Sequence, residues 1–231
     1  MGIVISLIII LVWAASLTFA LLRPAISLSS LQFFDIILFL WLQFLFVGLF
    51  ITSHDACHGT IDPKHPRVNL WIGRISAFLY AGLFFDKIKN KHMDHHQHPG
   101  TELDPDFLKS RDQSAPYLQW LLSFFKRYVT LAQLLIMTGA AQVLMHVFHL
   151  PQSNVFFFWV APSLASAIQL FTFGTYLPHR HGRKKFIDRH LARNSPQSFW
   201  MSLLLCYHFG ACHLRHHREP WVPWYALYLY R

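Results

Sequence analysis

The sequence predicts an all-α integral membrane protein with four transmembrane helices, and three observations carry that prediction. The chain of 231 residues is 54% hydrophobic and only 13% charged. Its apolar residues are gathered into long runs, one of which, from Tyr128 to His179, contains no Lys, Arg, Asp or Glu. Nineteen of the 20 Lys and Arg fall in two segments, one between the second and third spans and one after the fourth. This composition excludes a disordered chain, a collagen-like rod and a disulfide-stapled secreted module. Cys57, Cys206 and Cys212 form an odd, scattered set with no zinc-type pair.

The spans are taken in order. Residues 3–22 are free of charge, and 20 residues at 1.5 Å each give about 30 Å, one bilayer crossing. The run lacks a basic leader and is too long for a signal peptide, so it reads as the first span. Arg23-Pro24 ends it. A second span is expected over 31–51, with Asp35 near one end. The segment 52–127 is polar except for 70–85, where Arg74 marks an interfacial helix. The uncharged block is long enough for two crossings, and His149-Leu150-Pro151-Gln152-Ser153-Asn154 is a turn sequence. That predicts a helical hairpin with spans near 128–148 and 155–177. A short apolar piece, Phe199 to Gly210, comes next at the interface, and Trp221, Trp224, Tyr225, Tyr228 and Tyr230 look like an interfacial belt. The whole is expected to be one domain, 1–231.

Four spans place both termini on one side. The first loop holds only Arg23, while 52–127 carries ten Lys and Arg and 178–231 carries nine. Positive-inside bias puts those two segments, and both termini, in the cytoplasm. The net charge of +9 is therefore topology and contact with lipid headgroups first, and no nucleic-acid partner is expected.

Three of the histidine spacings stand out among 16 histidines. His54 and His58 form H-x-x-x-H; His92, His95 and His96 form H-x-x-H-H; His213, His216 and His217 repeat that pattern. Residues three and four apart share a helix face, so each group is expected to aim two or three imidazoles at one point. The predicted topology puts all three groups on the same membrane face. Imidazole sites suit zinc, copper, iron or nickel. Eight ligands are too many for one tetrahedral ion, so a site for two metals is expected. Carboxylates nearby can orient the rings and offset their charge; Asp55 and Asp94 lie inside the groups, and Asp86, Asp104, Asp106 and Glu219 flank them.

These boxes resemble those of the membrane fatty-acid desaturase and hydroxylase superfamily. Longer strings are similar to the bacterial and cyanobacterial β-carotene ketolases: His54-Asp55-Ala56-Cys57-His58-Gly59, Phe84-Phe85-Asp86-Lys87, His98-Pro99-Gly100-Thr101 with Asp104-Pro105-Asp106-Phe107, Phe173-Gly174-Thr175-Tyr176-Leu177-Pro178-His179-Arg180, Tyr207-His208-Phe209-Gly210 and Pro220-Trp221-Val222-Pro223-Trp224. The likeness runs from about Phe50 to Trp224. It departs at Arg215, where the ketolases are expected to carry Glu.

The resemblance implies two iron ions, O₂ as co-substrate and oxidation of the C4 methylene of β-ionone rings to a ketone, with products of the echinenone and canthaxanthin type. It implies His179 as a ninth ligand beside His54, His58, His92, His95, His96, His213, His216 and His217. His98 and His208 adjoin boxes and are open as ligands, hydrogen-bond partners or packed residues. His65, His181 and His190 read as basic-loop residues, and His146 and His149 lie by the far turn. A carotenoid entering from the lipid would meet Phe84, Phe85, Phe173, Tyr176 and Leu177. An electron donor such as ferredoxin would meet Lys87, Lys89, Lys91 and the run Arg183-Lys184-Lys185. A carotenoid ring hydroxylase or a fatty-acid desaturase would share the boxes. A metal transporter would instead need polar residues along a path through the spans, where Gln43, Gln133, Gln142 and Gln169 are the main candidates.

Overall fold

The computed structural model describes residues 1–27, 29–108, 115–180 and 185–230. Among them every regular element is helical. The uncharged first run forms α1, Gly2–Leu21, and the second forms α2, Phe33–Cys57. Asp35 begins α2: its carboxylate accepts from the Gln32 amide at 2.8 Å and pairs with Arg23 at 2.9 Å. The one cation of the first loop is thus tied to a helix N-terminus, where the backbone favours a negative charge.

The second span, expected to stop at 51, runs six residues further, so His54 and Asp55 belong to the same rod as the apolar run. Helix α3, Pro66–Ala81, lies along α2, and α4, Phe85–Gln97, turns from it by 100°. Gly73 permits the approach. A Cβ there would stand 2.7 Å from the Ala56 Cβ and 2.5 Å from the Phe85 ring. Asn69, buried, then ties α3 to the end of α2: its amide donates to the Ala56 carbonyl at 2.7 Å and its oxygen accepts from the Ile61 amide at 3.3 Å.

Helix α5, Tyr117–Tyr128, meets α6, Leu131–Gln142, at 83°; α6 continues through a π turn, Val143–Val147. The turn after it includes His149 at φ 52°. Helix α7 then runs unbroken over Gln152–His179. It contains two wide π stretches, Val155–Val160 and Phe171–Tyr176, each ending two residues before a proline, Pro162 and Pro178. Proline cannot donate to the preceding turn and crowds its carbonyl, and the wider turn relieves both while rotating the phase of the residues beyond it. His179 closes the second one.

The remaining elements are short: α8, Phe199–Cys206; α9, His213–Arg218; and α10, Trp224–Leu227. Three helices, α1, α2 and α7, are long and apolar enough to cross a membrane, and up to five spans result if each bent pair counts as one. Three of the four glutamines of the spans are paired within the protein. Gln43 donates to Gln169 at 2.5 Å, and Gln169 donates to the Leu205 carbonyl of α8 at 2.8 Å. Gln133 caps α6 with Thr130, and Gln142 is exposed. They form no continuous path. At the opposite end of the helices from the histidines, buried Asn154 accepts from the Ile26 amide at 3.1 Å and donates to the Arg23 carbonyl at 2.8 Å.

Candidate metal centre

The end of α2, the whole of α4, the last residue of α7 and the short α9 converge and bring nine histidines together in two groups. His54, His58, His92, His96 and His216 form one; His95, His179, His213 and His217 form the other. Within each, one nitrogen per ring lies within 4.8 Å of all the others. The Nε2 atoms face each other: His58–His92 at 2.7 Å, His96–His216 at 3.0 Å, His179–His213 at 2.8 Å, His213–His217 at 3.1 Å, and His95–His217 at 3.2 Å between ring nitrogens of the second group.

The boxes do not each serve one point, as their spacing suggested. Successive helix residues are about 100° apart, so an i,i+4 pair shares a face and the third histidine stands off it. His92 and His96 join the five-membered group while His95 joins the other. His213 and His217 join the four-membered group while His216 crosses to the first.

This donor set fits metal ions. Donors about 2.1 Å from one ion stand about 3.0–3.4 Å apart at octahedral or tetrahedral angles; three of the five separations, 3.0, 3.1 and 3.2 Å, fall in that range and two, 2.7 and 2.8 Å, just below it. A neutral ring has one N–H only. In their neutral forms His95 and His179 spend theirs outward, Nδ1 donating to Asp104 at 2.9 Å and to the Leu191 carbonyl at 2.8 Å, which turns their Nε2 lone pairs toward other imidazoles. A cation resolves that repulsion. Most of the rings are kept neutral; His95 is the exception, since burial lowers it but Asp104 and Asp106 together raise it to about 9. Burial first, and then the neighbouring His95, push His213 down to about 3, and burial followed by repulsion among the imidazoles lowers His216 and His217 well below the ordinary range.

Aromatic rings close the site. Phe209 lies 4.4 Å from His54 and 4.8 Å from His216; Phe107 lies 5.3 Å from His179. The connection from α8 to α9 that carries Phe209 is tight, with Tyr207 and His208 both left-handed (φ 46° and 70°). Gly210 comes next because a Cβ there would stand 2.9 Å from the Phe173 carbonyl.

Other expected site residues lie elsewhere. His98 ends α4 and is in neither group, and His208 is packed among Phe199, Trp224 and Tyr228, its Nδ1 paired with Ser202. Asp94 is exposed. The Asp55 carboxylate accepts from the Trp224 amide at 3.1 Å and stays 3.8 Å from His54 Nδ1, beyond hydrogen-bond distance. Asp86 pairs with Arg74 and Glu219 with Arg215. The buried carboxylate on the site is Asp104, accompanied by Asp106 at 3.9 Å from His95 Nδ1. Phe85 is buried against Gly73 and packs in the core between α3 and α2. Phe84 is exposed, and Phe173, Tyr176 and Leu177 are half-buried beside His179. Lys91 is committed to the Arg127 carbonyl and the Tyr128 ring. Lys87 and Lys185 are exposed, Lys89 is half-buried, and His181, Arg183 and Lys184 lie outside the described residues. His190, read from the sequence as a loop residue, packs 5.8 Å from the His217 ring.

Comparison with known proteins places these residues in a family. A model of the fatty acid desaturase family matches residues 28–153 and 125–231. A β-carotene ketolase of Paracoccus sp. (strain N81106 / MBIC 01143) is 44% identical over 192 residues, covering 82% of this chain and 76% of that protein. One from Paracoccus sp. (strain PC1) is 42% identical over 194 residues, covering 80% and 74%. A zeaxanthin 4-ketolase of Chlamydomonas reinhardtii is 38% identical over 192 residues, covering 82% of this chain and 42% of its own length. No solved structure matches. With nine clustered histidines and relatives of this closeness, the chain belongs to the fatty acid desaturase family and, within it, to the β-carotene ketolases.

Proposed function

We propose that this protein is an O₂-dependent ketolase that converts the C4 methylene of β-ionone rings of β-carotene to a ketone, giving echinenone- and canthaxanthin-type products. The observation that carries the reading is the pairing of two all-imidazole groups, five and four strong, with 44% identity to a β-carotene ketolase. The nine histidines are assigned as ligands of two iron ions, one per group. When bound, the irons supply the activation of O₂. Oxidation of CH₂ to CHOH consumes one O₂, two electrons and two protons and releases one water; a second round gives the gem-diol, which loses water to the ketone.

The chain's own residues bind, orient and exclude. Asp104 and the Leu191 carbonyl hold His95 and His179 in the tautomer that turns Nε2 inward. Phe107 covers the His179 ring and Phe209 the rings of His54 and His216, which limits the access of water on those sides and protects a reactive site from side reactions. Phe173, Tyr176 and Leu177, half-buried next to His179, are assigned to the apolar path by which the polyene arrives from the lipid. The placement of 19 of 20 Lys and Arg supports four spans, with the termini and the metal centre in the cytoplasm. There, Lys87, Lys89 and Lys185 offer a basic face to a reduced donor such as ferredoxin.

Expression in a β-carotene-producing cell tests the reading. Conversion of the pigment to keto-carotenoids is the expected result. A hydroxylated pigment, or an unchanged pigment with altered fatty-acid unsaturation, would assign the chain to another activity of the superfamily.

A further inference from the structure

We infer that the two histidine groups hold their metals unequally: the four-histidine group, backed by Asp104, is the retaining site, and the five-histidine group is the exchangeable one. The inference rests on the two-metal reading above and deepens it.

Burial is the first difference. His95, His179, His213 and His217 are all buried, whereas His54, His58, His92 and His96 are partly exposed, His54 only slightly with 11% of its side chain accessible, and only His216 of the five is fully closed off. The second difference is in what stands behind the rings. The Asp104 side chain is fully buried. It accepts from His95 Nδ1 at 2.9 Å, from the Gly100 amide at 2.8 Å and from the Asp106 amide at 2.8 Å. Its loop is fastened in turn. Arg127 donates to the Pro105 carbonyl at 2.7 Å and to that of Phe107, Trp120 donates to the Asp106 carbonyl at 2.6 Å, and the Tyr128 hydroxyl donates to the Asp106 carboxylate. This carboxylate cannot turn away from His95 without unmaking the loop.

The five-histidine group has no counterpart. Among the described residues no carboxylate hydrogen-bonds to any of its rings, and the nearest, Asp55, is held by the Trp224 amide. Buried Nδ1 atoms without a partner occur in both groups, on His54 and His216 in one and on His213 and His217 in the other, so the difference lies in the carboxylate behind His95. A carboxylate behind a ligating imidazole fixes its orientation and raises its basicity, and its loss typically costs about 10–100-fold in metal affinity. Burial slows escape of the ion in the same direction. Asp104 is therefore a positioning residue for one site only.

The test is release of Fe(II) from the purified, fully loaded protein to ferrozine under anaerobic conditions. Two phases of equal amplitude are expected, with one ion per chain lost quickly and one slowly. His58→Ala should remove the fast phase alone. Asp104→Asn should speed the slow phase about 10–100-fold, while Glu102→Gln, an exposed neighbour in the same loop, should leave both phases unchanged. Mössbauer spectra of ⁵⁷Fe-loaded protein separate positioning from general loosening: Asp104→Asn should shift one doublet and spare the other. Release of two ions at a single rate by the unaltered protein, or equal loss of both in Asp104→Asn, would overturn the inference. Uptake of fewer than two ions by the unaltered protein would instead overturn the two-metal reading on which it stands.

Discussion

Arg215 grips Glu219 across one turn of α9, its Nε and Nη2 standing 3.0 and 2.9 Å from a single carboxylate oxygen, while Nη1 donates to the Leu227 carbonyl at 3.2 Å. The residue that departs from the expected ketolase pattern is therefore a latch between the third histidine box and the C-terminal segment. Arg215→Glu sets two carboxylates on the same turn and releases Leu227. A loss of about 1 kcal/mol is expected for this partly exposed pair. That is a fall of about 2–4 °C in a melting curve, with metal content unchanged.

Gly73 leaves no room for a side chain between α3 and its neighbours, and its replacement is expected to reach the site through packing alone. In Gly73→Val the added Cβ alone already meets the Ala56 Cβ and the Phe85 ring. Overpacking of this kind costs about 1–3 kcal/mol and pushes α4, with its three histidines, away from α2. Thermal unfolding and bound iron should fall together. Gly139→Ala is the matched control, because no atom lies within 4 Å of a Cβ at that position; it should be neutral or stabilising.

Asn154→Ala strands the Ile26 amide and the Arg23 carbonyl at the far end of the molecule. An unpaired polar group costs about 1–3 kcal/mol when fully buried, and these two are partly buried, which puts the cost at the low end. The expected result is a lowered melting temperature and faster proteolysis of residues 22–32, with ketone formation in the surviving protein unaffected.

His216→Ala removes the one residue that α9 contributes to the five-histidine group. Membrane insertion should be normal and keto-carotenoid formation should disappear. Pigment extraction alongside a membrane-fraction blot measures both at once, and retained activity would remove His216 from the ligand set.

Much of this was legible in the sequence. The apolar runs mark out α1 to within a residue, and locate α2 and α7 with ends that differ by two to six residues, because a charge-free stretch of 20 residues has few other fates. All nine histidines singled out from their boxes and from family likeness fall in the two groups. Their division into five and four departs from one point per box, although helical phase contains it: 92 and 96 share a face that 95 does not. Asp104 was one of six acidic candidates that spacing alone could not rank. Its nine-residue separation from His95 closes only through the turn at Pro99-Gly100. The Leu191 carbonyl had no side-chain signal at all. Gln43 and Gln169, 126 positions apart, look like isolated polar intrusions until tertiary packing pairs them.

The extension of α2 past its apolar run ties the first box to the thickness of the surrounding lipid. A helix of 25 residues is about 37 Å long, against a hydrocarbon layer of about 30 Å. The surplus is little more than one turn, and His54 stands on it. A helix too long for its bilayer tilts, and tilt here would move His54 and His58 against the histidines that α4 and α9 bring from outside the rod. Ketolase activity in vesicles should accordingly pass through a maximum as acyl chains lengthen, with the lipid acting as a ruler for the metal centre.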